Sequence, residues 1–383
     1  MDLGRDRDIA HGCTPSWCMW VERLTDIQSA AAYLHRIKLL PGRSSYELVV
    51  LVREILVLSH KEVEGLLDYG EVIDAVENAF RAKALGRTIM PPKSYLFFAE
   101  YCGDLRVMPA YLLDEAIAGV KIVNVHPENP RKHGIASVMA VVVLVDPETG
   151  RPLAVMDGTL ITAWRTGAAG AVAAKYLARR DSKVMGVIGA GVQGRMQALF
   201  TSKVLDLDRL VVWDVVESRA EAYAEEMSRA LGIGIKVAGG PEEVAREADI
   251  LATCTPSREP IVKAEWIRPG IHINAIGADA PGKEELDPEI LKRASKIVVD
   301  DWVQASHSGE INVPLSKGII SKEDIYAELG EIIAGMKPGR ERDDEITVFD
   351  STGSAIQDVA TASIVYRKAL DRRIGTRMEI VKM

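Results

Sequence analysis

The 383-residue sequence has only four cysteines (Cys13, Cys18, Cys102 and Cys254), too few and too scattered for a disulfide framework. No apolar run reaches the roughly 18–20 residues of a membrane span. The stretch from Ile135 to Val145 is about the longest, and it suits a buried strand. Basic charge is also in deficit. Lys and Arg number 47 against 55 Asp and Glu, a net charge of −8 that argues against general nucleic-acid binding or an anionic membrane surface. The N-terminus mixes acids with scattered polar residues where a signal peptide would have a basic start and an apolar core, so a soluble cytoplasmic enzyme is expected. There is no internal repeat and no G-x-S-x-G nucleophile elbow. His11-Gly-Cys13 and Cys18 lack a second ligand pair, and no other His, Asp or Glu set has metal spacing, so metal-free chemistry is expected. Asparagine and glutamine are few beside charge-rich helices, which points to a thermophilic source.

What is present is a chain with 48% hydrophobic residues, enough for two domains. Its organising stretch starts at Val184 to Ile188, a short β-prone run followed by Gly189, Gly191 and Gly194 in G-x-G-x-x-G spacing. Arg195 to Val204 reads as a helix and Arg209 to Asp214 as the next strand. Gly189 permits a tight turn off the strand, Gly191 a close backbone approach to a pyrophosphate, and Gly194 close packing of helix on sheet. Asp214 ends the second strand 20 residues after Gly194. A carboxylate there accepts hydrogen bonds from an adenosine ribose and favours NAD over NADP.

Residues 1–53 form an N-terminal extension of unreadable role; Trp17, Trp20 and the segment from Ala30 to Leu40 suggest at most a short helix. From Glu54 the pattern is regular. A strand at Ile55 leads to Ser59, an N-cap with Glu62 three residues on. Two amphipathic helices follow, the second closed by Gly86. Strands are then expected over Lys93–Ala99, Asp104–Ala110, Ala118–Val125, Ser137–Asp146 and Leu153–Asp157, which together make a mixed sheet with helices. A long small-residue helix, Ile161–Ala178, feeds the glycine turn. Strand–helix alternation continues to about Asp300 and calls for a parallel sheet with right-handed crossovers. A strand at Ile346–Phe349 and a helix at Ile356–Leu370 close the chain, the helix returning to pack on the first domain.

Several charged residues stand where strands end or apolar strand sequence is interrupted. Lys93 follows the rigid Met90-Pro-Pro92, whereas Arg106 and Lys121 interrupt apolar strands. An inward cation is costly without an anion. For one such cation a structural Asp or Glu serves as well as a ligand; three in one domain favour a substrate carboxylate, which a guanidinium grips through two parallel hydrogen bonds. A lysine desolvated among cations carries protons near neutral pH. Asp279 lies just past the strand end at Ile276, where parallel folds place ligands, although capping of a turn is also open to it. Ser351-Thr-Gly-Ser354 either touches the nicotinamide side or caps the last helix. His126 and His307 read as satisfied or exposed histidines more readily than as acid–base groups.

At Gly119–Asn129, Arg165-Thr-Gly-Ala-Ala-Gly170, Gly189–Gln193 and Gly277–Lys283 the chain resembles the ornithine cyclodeaminase/μ-crystallin family. Met90–Lys93, Ile273–Asp279 and Phe349–Gly353 are most similar to its archaeal alanine dehydrogenase branch. The resemblance runs from about residue 54 to the C-terminus. It implies a homodimer and an α/β fold in which a Rossmann NAD-binding domain (179–352) is inserted in a mixed α+β substrate-binding and dimerisation domain (54–178 and 353–383). It also implies NAD-linked oxidation of an amino acid to an imine. Lys121 is then the proton donor and acceptor, Lys93 and Arg106 hold the substrate carboxylate, and Asp279 works beside the imine and its water. Arg165, Val192, Gln193 and Asp214 match cofactor positions, and Thr166, Gly189, Gly191, Gly194, Thr255, Ile276, Gly277 and Ser354 are expected to join them.

Two reactions share that imine: hydrolysis in an alanine dehydrogenase, or attack by the substrate's own δ-amine in an ornithine cyclodeaminase, which gives proline. Cyclising members of the family tend to have an acid where this chain has Arg106. A cation there repels a δ-ammonium by several kcal/mol at ~4 Å if the effective dielectric is about 20, so alanine oxidation is the expected activity. Reduction of another small imino acid and non-enzymatic binding, as in μ-crystallin-like members, are the alternatives. Pocket size is expected to depend on Met108, Tyr111 or Ile276.

Overall fold

The computed structural model describes residues 54–381, so the readings made for the N-terminal extension, Cys13 and Cys18 among them, lie outside the described residues. The first sheet is built from β1 (Ile55–Leu58), β2 (Thr88–Ile89), β3 (Ser94–Phe98), β4 (Gly103–Leu112), β5 (Ile117–Val125), β6 (Val138–Val145) and β7 (Pro152–Asp157). It is completed by β16 (Thr376–Met378), close to the other end of the chain. The order is β16-β1-β7-β6-β5-β4-β2, with β3 also on β4; every pairing is antiparallel except β1 with β7. Strict alternation along β4 to β6 turns Arg106, Met108, Ala110, Lys121, Val123, Ala140 and Val142 to one buried face. That face is covered by helices, chiefly Gly158–Leu177 and the C-terminal helix Ala355–Arg372.

The second sheet contains β8 (Val184–Ile188), β9 (Arg209–Trp213), β10 (Gly234–Val237), β11 (Ile250–Thr253), β12 (His272–Ala275), β13 (Lys296–Val299), β14 (Ile325–Glu328) and β15 (Thr347–Asp350). It is parallel throughout, in the order β10-β9-β8-β11-β12-β15-β13-β14. Strands buried on both faces explain the unbroken apolar runs of β8 and β11. This is the Rossmann arrangement, and it sits in the chain between β7 and the last helix. β15 runs straight into that helix, which returns to the first sheet as the pattern requires.

Local signals account for most boundaries. Glu62 accepts from the Ser59 N–H and hydroxyl at 2.8 and 2.6 Å, closing the expected N-terminal box. Two helices begin three residues earlier than their apolar pattern. Asp157 accepts from the N–H groups of Thr159 and Leu160, so the long helix starts at Gly158. After the glycine turn the helix starts at Val192, directly behind an extended Gly191. β2, β14 and β16 are too short to leave a periodic trace. Among the described residues no helix is long and apolar enough to cross a membrane.

Candidate active site

The ends of β12, β13 and β15 meet the helix-covered face of the first sheet, and the charged residues collect there. Lys121 on β5 is fully buried, its Nζ donating to Asp358 Oδ1 at 2.7 Å. Arg165, on the helix Gly158–Leu177, donates Nε to the same oxygen at 2.9 Å and Nη1 to Gln357 Oε1 at 2.8 Å. Burial, then the Arg165 guanidinium, pulls the Lys121 ammonium down to about 7 against the attraction of Asp358. A lysine in that range exchanges protons at neutral pH.

Arg106 on β4 is 5% exposed and lies between two acids. Its Nε and Nη2 donate to Asp104 Oδ1 and Oδ2 at 2.8 and 3.0 Å, and its Nη1 donates to Asp279 Oδ2 at 2.9 Å. The Tyr95 ring centroid lies 5.5 Å from the guanidinium carbon. Asp279 also accepts from Lys283. Burial pushes the Asp279 carboxyl up, but Arg106 and Lys283 outweigh it and hold the group well below the usual carboxylate range. Asp279 is thus an ionised group held between two cations. Half-buried Lys93 donates to the Thr352 carbonyl at 2.7 Å. Burial lowers it to about 8, with Asp300 opposing and Arg106 and Arg165 assisting.

These contacts correct two readings. Arg106 and Lys121 each have a carboxylate partner, so neither needs a substrate anion to explain its burial, whereas the partner of Lys93 is a carbonyl. The guanidinium of Arg106 is also neutralised by two carboxylates, so the repulsion of a δ-ammonium expected from a lone cation at this position is offset. Tyr111 lies an odd number of residues from Met108 on β4 and faces the other side of the sheet, away from the cleft. Met108 sits directly opposite Lys121 in register, and Ile276 is buried at the end of β12.

At the parallel sheet, Gly189 has φ +103°. A Cβ on Gly194 would lie 2.2 Å from the Gly189 carbonyl oxygen, so the helix Val192–Thr201 comes as close to the turn as glycine permits. Gly191 has open space around its Cβ position. Asp214 takes the Ala190 N–H on Oδ2 and the Val216 N–H on Oδ1, both at 2.9 Å, and so stands beside the glycine turn. Val192 is exposed at the first turn, and Gln193 Oε1 is buried without a partner. The turn, the free helix N-terminus and the acid fit a dinucleotide. Glu285 accepts from the N–H and hydroxyl of Thr255 and from the Gly277 N–H at 2.7–2.9 Å, pinning the ends of β11 and β12 together. Thr166 is satisfied within its own helix through the Thr162 carbonyl. Ser354 precedes the last helix, but its buried hydroxyl makes no cap hydrogen bond. His307 is exposed, and His126 packs beside Gly103 and Phe98.

Sequence reasoning missed Asp104, Gln357, Asp358, Asp300 and Glu285. Asp104 was within reach, because a residue two positions from Arg106 shares its face of the strand. Asp358 carried a weaker signal, as the lone acid in the first turn of an otherwise small-residue helix start. Asp300 accepts from the Thr352 hydroxyl and the Gly353 N–H, and burial raises it to about 6 despite Lys93.

Fold and site together define a dinucleotide-binding α/β protein with a charged cleft between its two sheets. The chain belongs to the ornithine cyclodeaminase/mu-crystallin family, whose profile matches residues 53–373. An alanine dehydrogenase of Archaeoglobus fulgidus is 53% identical over 330 residues, which is 86% of this chain and 100% of the relative. A solved archaeal alanine dehydrogenase dimer with bound NAD is 54% identical with a TM-score of 0.82, covering 86% of this chain and all of that one. The Thermococcus litoralis Δ1-pyrroline-2-carboxylate reductase, solved with NADH and L-proline, is 44% identical with a TM-score of 0.83, covering 85% of this chain and 100% of its own.

Proposed function

We propose that the protein is an NAD-dependent dehydrogenase that converts L-alanine to pyruvate and ammonia, reversibly. The observation that carries the reaction class is the buried Lys121, held by Asp358 beside Arg165 and drawn down to about 7. The 53% identity to an alanine dehydrogenase across that relative's full length supports the substrate. The glycine turn, Arg165, Thr255 and Asp214 would hold NAD, which when bound supplies the two-electron acceptor for the substrate's α-carbon. Lys93 and Arg106 orient the carboxylate. Lys121, in its neutral form, takes the proton released as the amine becomes an imine. Asp279, kept ionised by Arg106 and Lys283, orients the water that attacks the imine.

A second reading, cyclodeamination of L-ornithine, is favoured by one observation: the carboxylates flanking Arg106 offset its repulsion of a δ-ammonium. The deciding assay follows absorbance at 340 nm with NAD and L-alanine, L-ornithine or L-proline, with proline assayed in parallel. NADH is expected from L-alanine. NADH from L-proline alone would replace this reading with an imino-acid reductase, and proline formed from L-ornithine without NADH would replace it with a cyclodeaminase. No turnover with any small L-amino acid would leave a binding protein.

The same reading includes a homodimer formed through the outer face of the first sheet. Ile122 (37% exposed), Met139 (39%) and Val141 (43%) lie side by side there, with Ile122 paired to both Val107 and Val141. An apolar sheet face of this kind calls for a cover. Sedimentation should give a mass of twice 41.8 kDa. Val141→Lys buries an unpaired charge in that interface and should weaken the dimer at least ~100-fold, since such a charge costs about 3–5 kcal/mol. An unchanged mass at low micromolar concentration would remove this face from the interface.

A further inference from the structure

We propose that Asp358 is the positioning residue of Lys121 and that its shared oxygen couples the lysine to Arg165. This rests on the proton-transfer role proposed above for Lys121. Asp358 sits in the first turn of the 18-residue C-terminal helix, where the helix dipole favours a carboxylate. It is fully buried. Its Oδ1 accepts from Lys121 Nζ at 2.7 Å and from Arg165 Nε at 2.9 Å, whereas Oδ2 is buried with no hydrogen-bond partner. A triad built only for stability would use both oxygens, because unsatisfied lone pairs on a buried ion are costly. Two cations on one oxygen compete instead, and each weakens the other's hold.

The competition has a direction. If Arg165 turns toward an anionic ligand, Oδ1 is left to Lys121 and the ammonium form gains. If the carboxylate loses its charge, the ammonium form loses the anion that holds it. Among the described residues, the charged groups that act most strongly on Lys121 are Arg165, Asp358 and Lys93. β5 carries no other titratable residue and β6 carries none. On the neighbouring β4, Asp104 and Arg106 share the buried side and are paired with each other, while Tyr111 faces away.

The test is the pH dependence of kcat/KM for L-alanine at saturating NAD in the full-length protein. The wild type should show an acidic limb near pH 7, below which Lys121 is protonated. Asp358→Asn keeps the shape and an acceptor oxygen but removes the charge, and should move the limb down by about one pH unit or more. Arg165→Gln removes the like charge and should move it up by about one unit, with Arg165→Lys restoring it. Opposite displacements support the coupling, whereas limbs that stay put or move together overturn it. Because the Arg165 variants test the sign independently, a poorly folded Asp358→Asn protein does not rescue the idea. Lys121→Met separates the two levels. If it turns over with the same limb, the role of Lys121 itself fails; if the limb vanishes with Lys121 but is unmoved by the Asp358 and Arg165 changes, only the coupling fails.

Discussion

Lys121→Ala is expected to lower kcat by about 10²–10⁴-fold, the range that a positioned proton-transfer group contributes, while NAD binding is retained. The lysine enters from β5, whereas the glycine turn and Asp214 belong to the parallel sheet, so removing the amine leaves the dinucleotide surface intact. Asp358 keeps Arg165 as a partner in the variant, which limits the penalty of an unpaired buried charge. Lys121→Met, closer in volume, controls for the cavity that alanine leaves. The checks are NADH production at 340 nm and quenching of protein fluorescence by NADH. Turnover within about tenfold of wild type in both variants would remove Lys121 from the chemistry; loss of NADH binding in both would mean that the lysine supports the fold instead.

The second large effect separates two glycines of one turn. Gly194→Ala places a methyl 2.2 Å from the Gly189 carbonyl, a backbone atom that cannot yield without moving the turn. Overpacking of this kind costs about 1–3 kcal/mol, so the melting temperature should fall and the Kd for NAD should rise by about 10–100-fold. Gly191→Ala meets nothing within 4 Å, at φ −85° where alanine is comfortable. The free protein should keep its melting temperature, yet NAD affinity should drop by a similar factor because the methyl occupies the side of the turn reserved for the pyrophosphate. Calorimetric titration with NAD, beside thermal unfolding of the apo protein, reads both quantities. Wild-type affinity in Gly191→Ala would show that the phosphates do not pass over this residue.

The parts of this protein that could be read in advance are those whose physics is local. The glycine turn, its flanking strands and Asp214 fall within about thirty residues, each glycine answering to a steric demand visible in the spacing. The mixed sheet was legible because its strands are β-prone runs separated by turn residues. The identity of the cations was legible too, but their partners were not. Lys121 meets an acid 237 positions away and Arg106 one 173 positions away, and no local pattern encodes such a meeting. The consequence was an electrostatic misreading: Arg106 looked like a bare positive charge, whereas the folded chain brings Asp279 to it and the alternation of β4 had already set Asp104 alongside.

The cross-cleft contacts of Lys93 and Arg106 also govern how an anion enters. Lys93 holds the Thr352 carbonyl and Arg106 the Asp279 carboxylate, both belonging to the opposite sheet. In the proposed reading, a substrate carboxylate arriving there would exchange one set of hydrogen bonds for another instead of claiming cations from water. Its affinity is thus a difference between two similar terms, and salt, which screens both, changes that difference less than it would change attraction to an exposed cation. In the proposed reading, an anion that takes over Arg106 would leave Asp279 to Lys283 and to water.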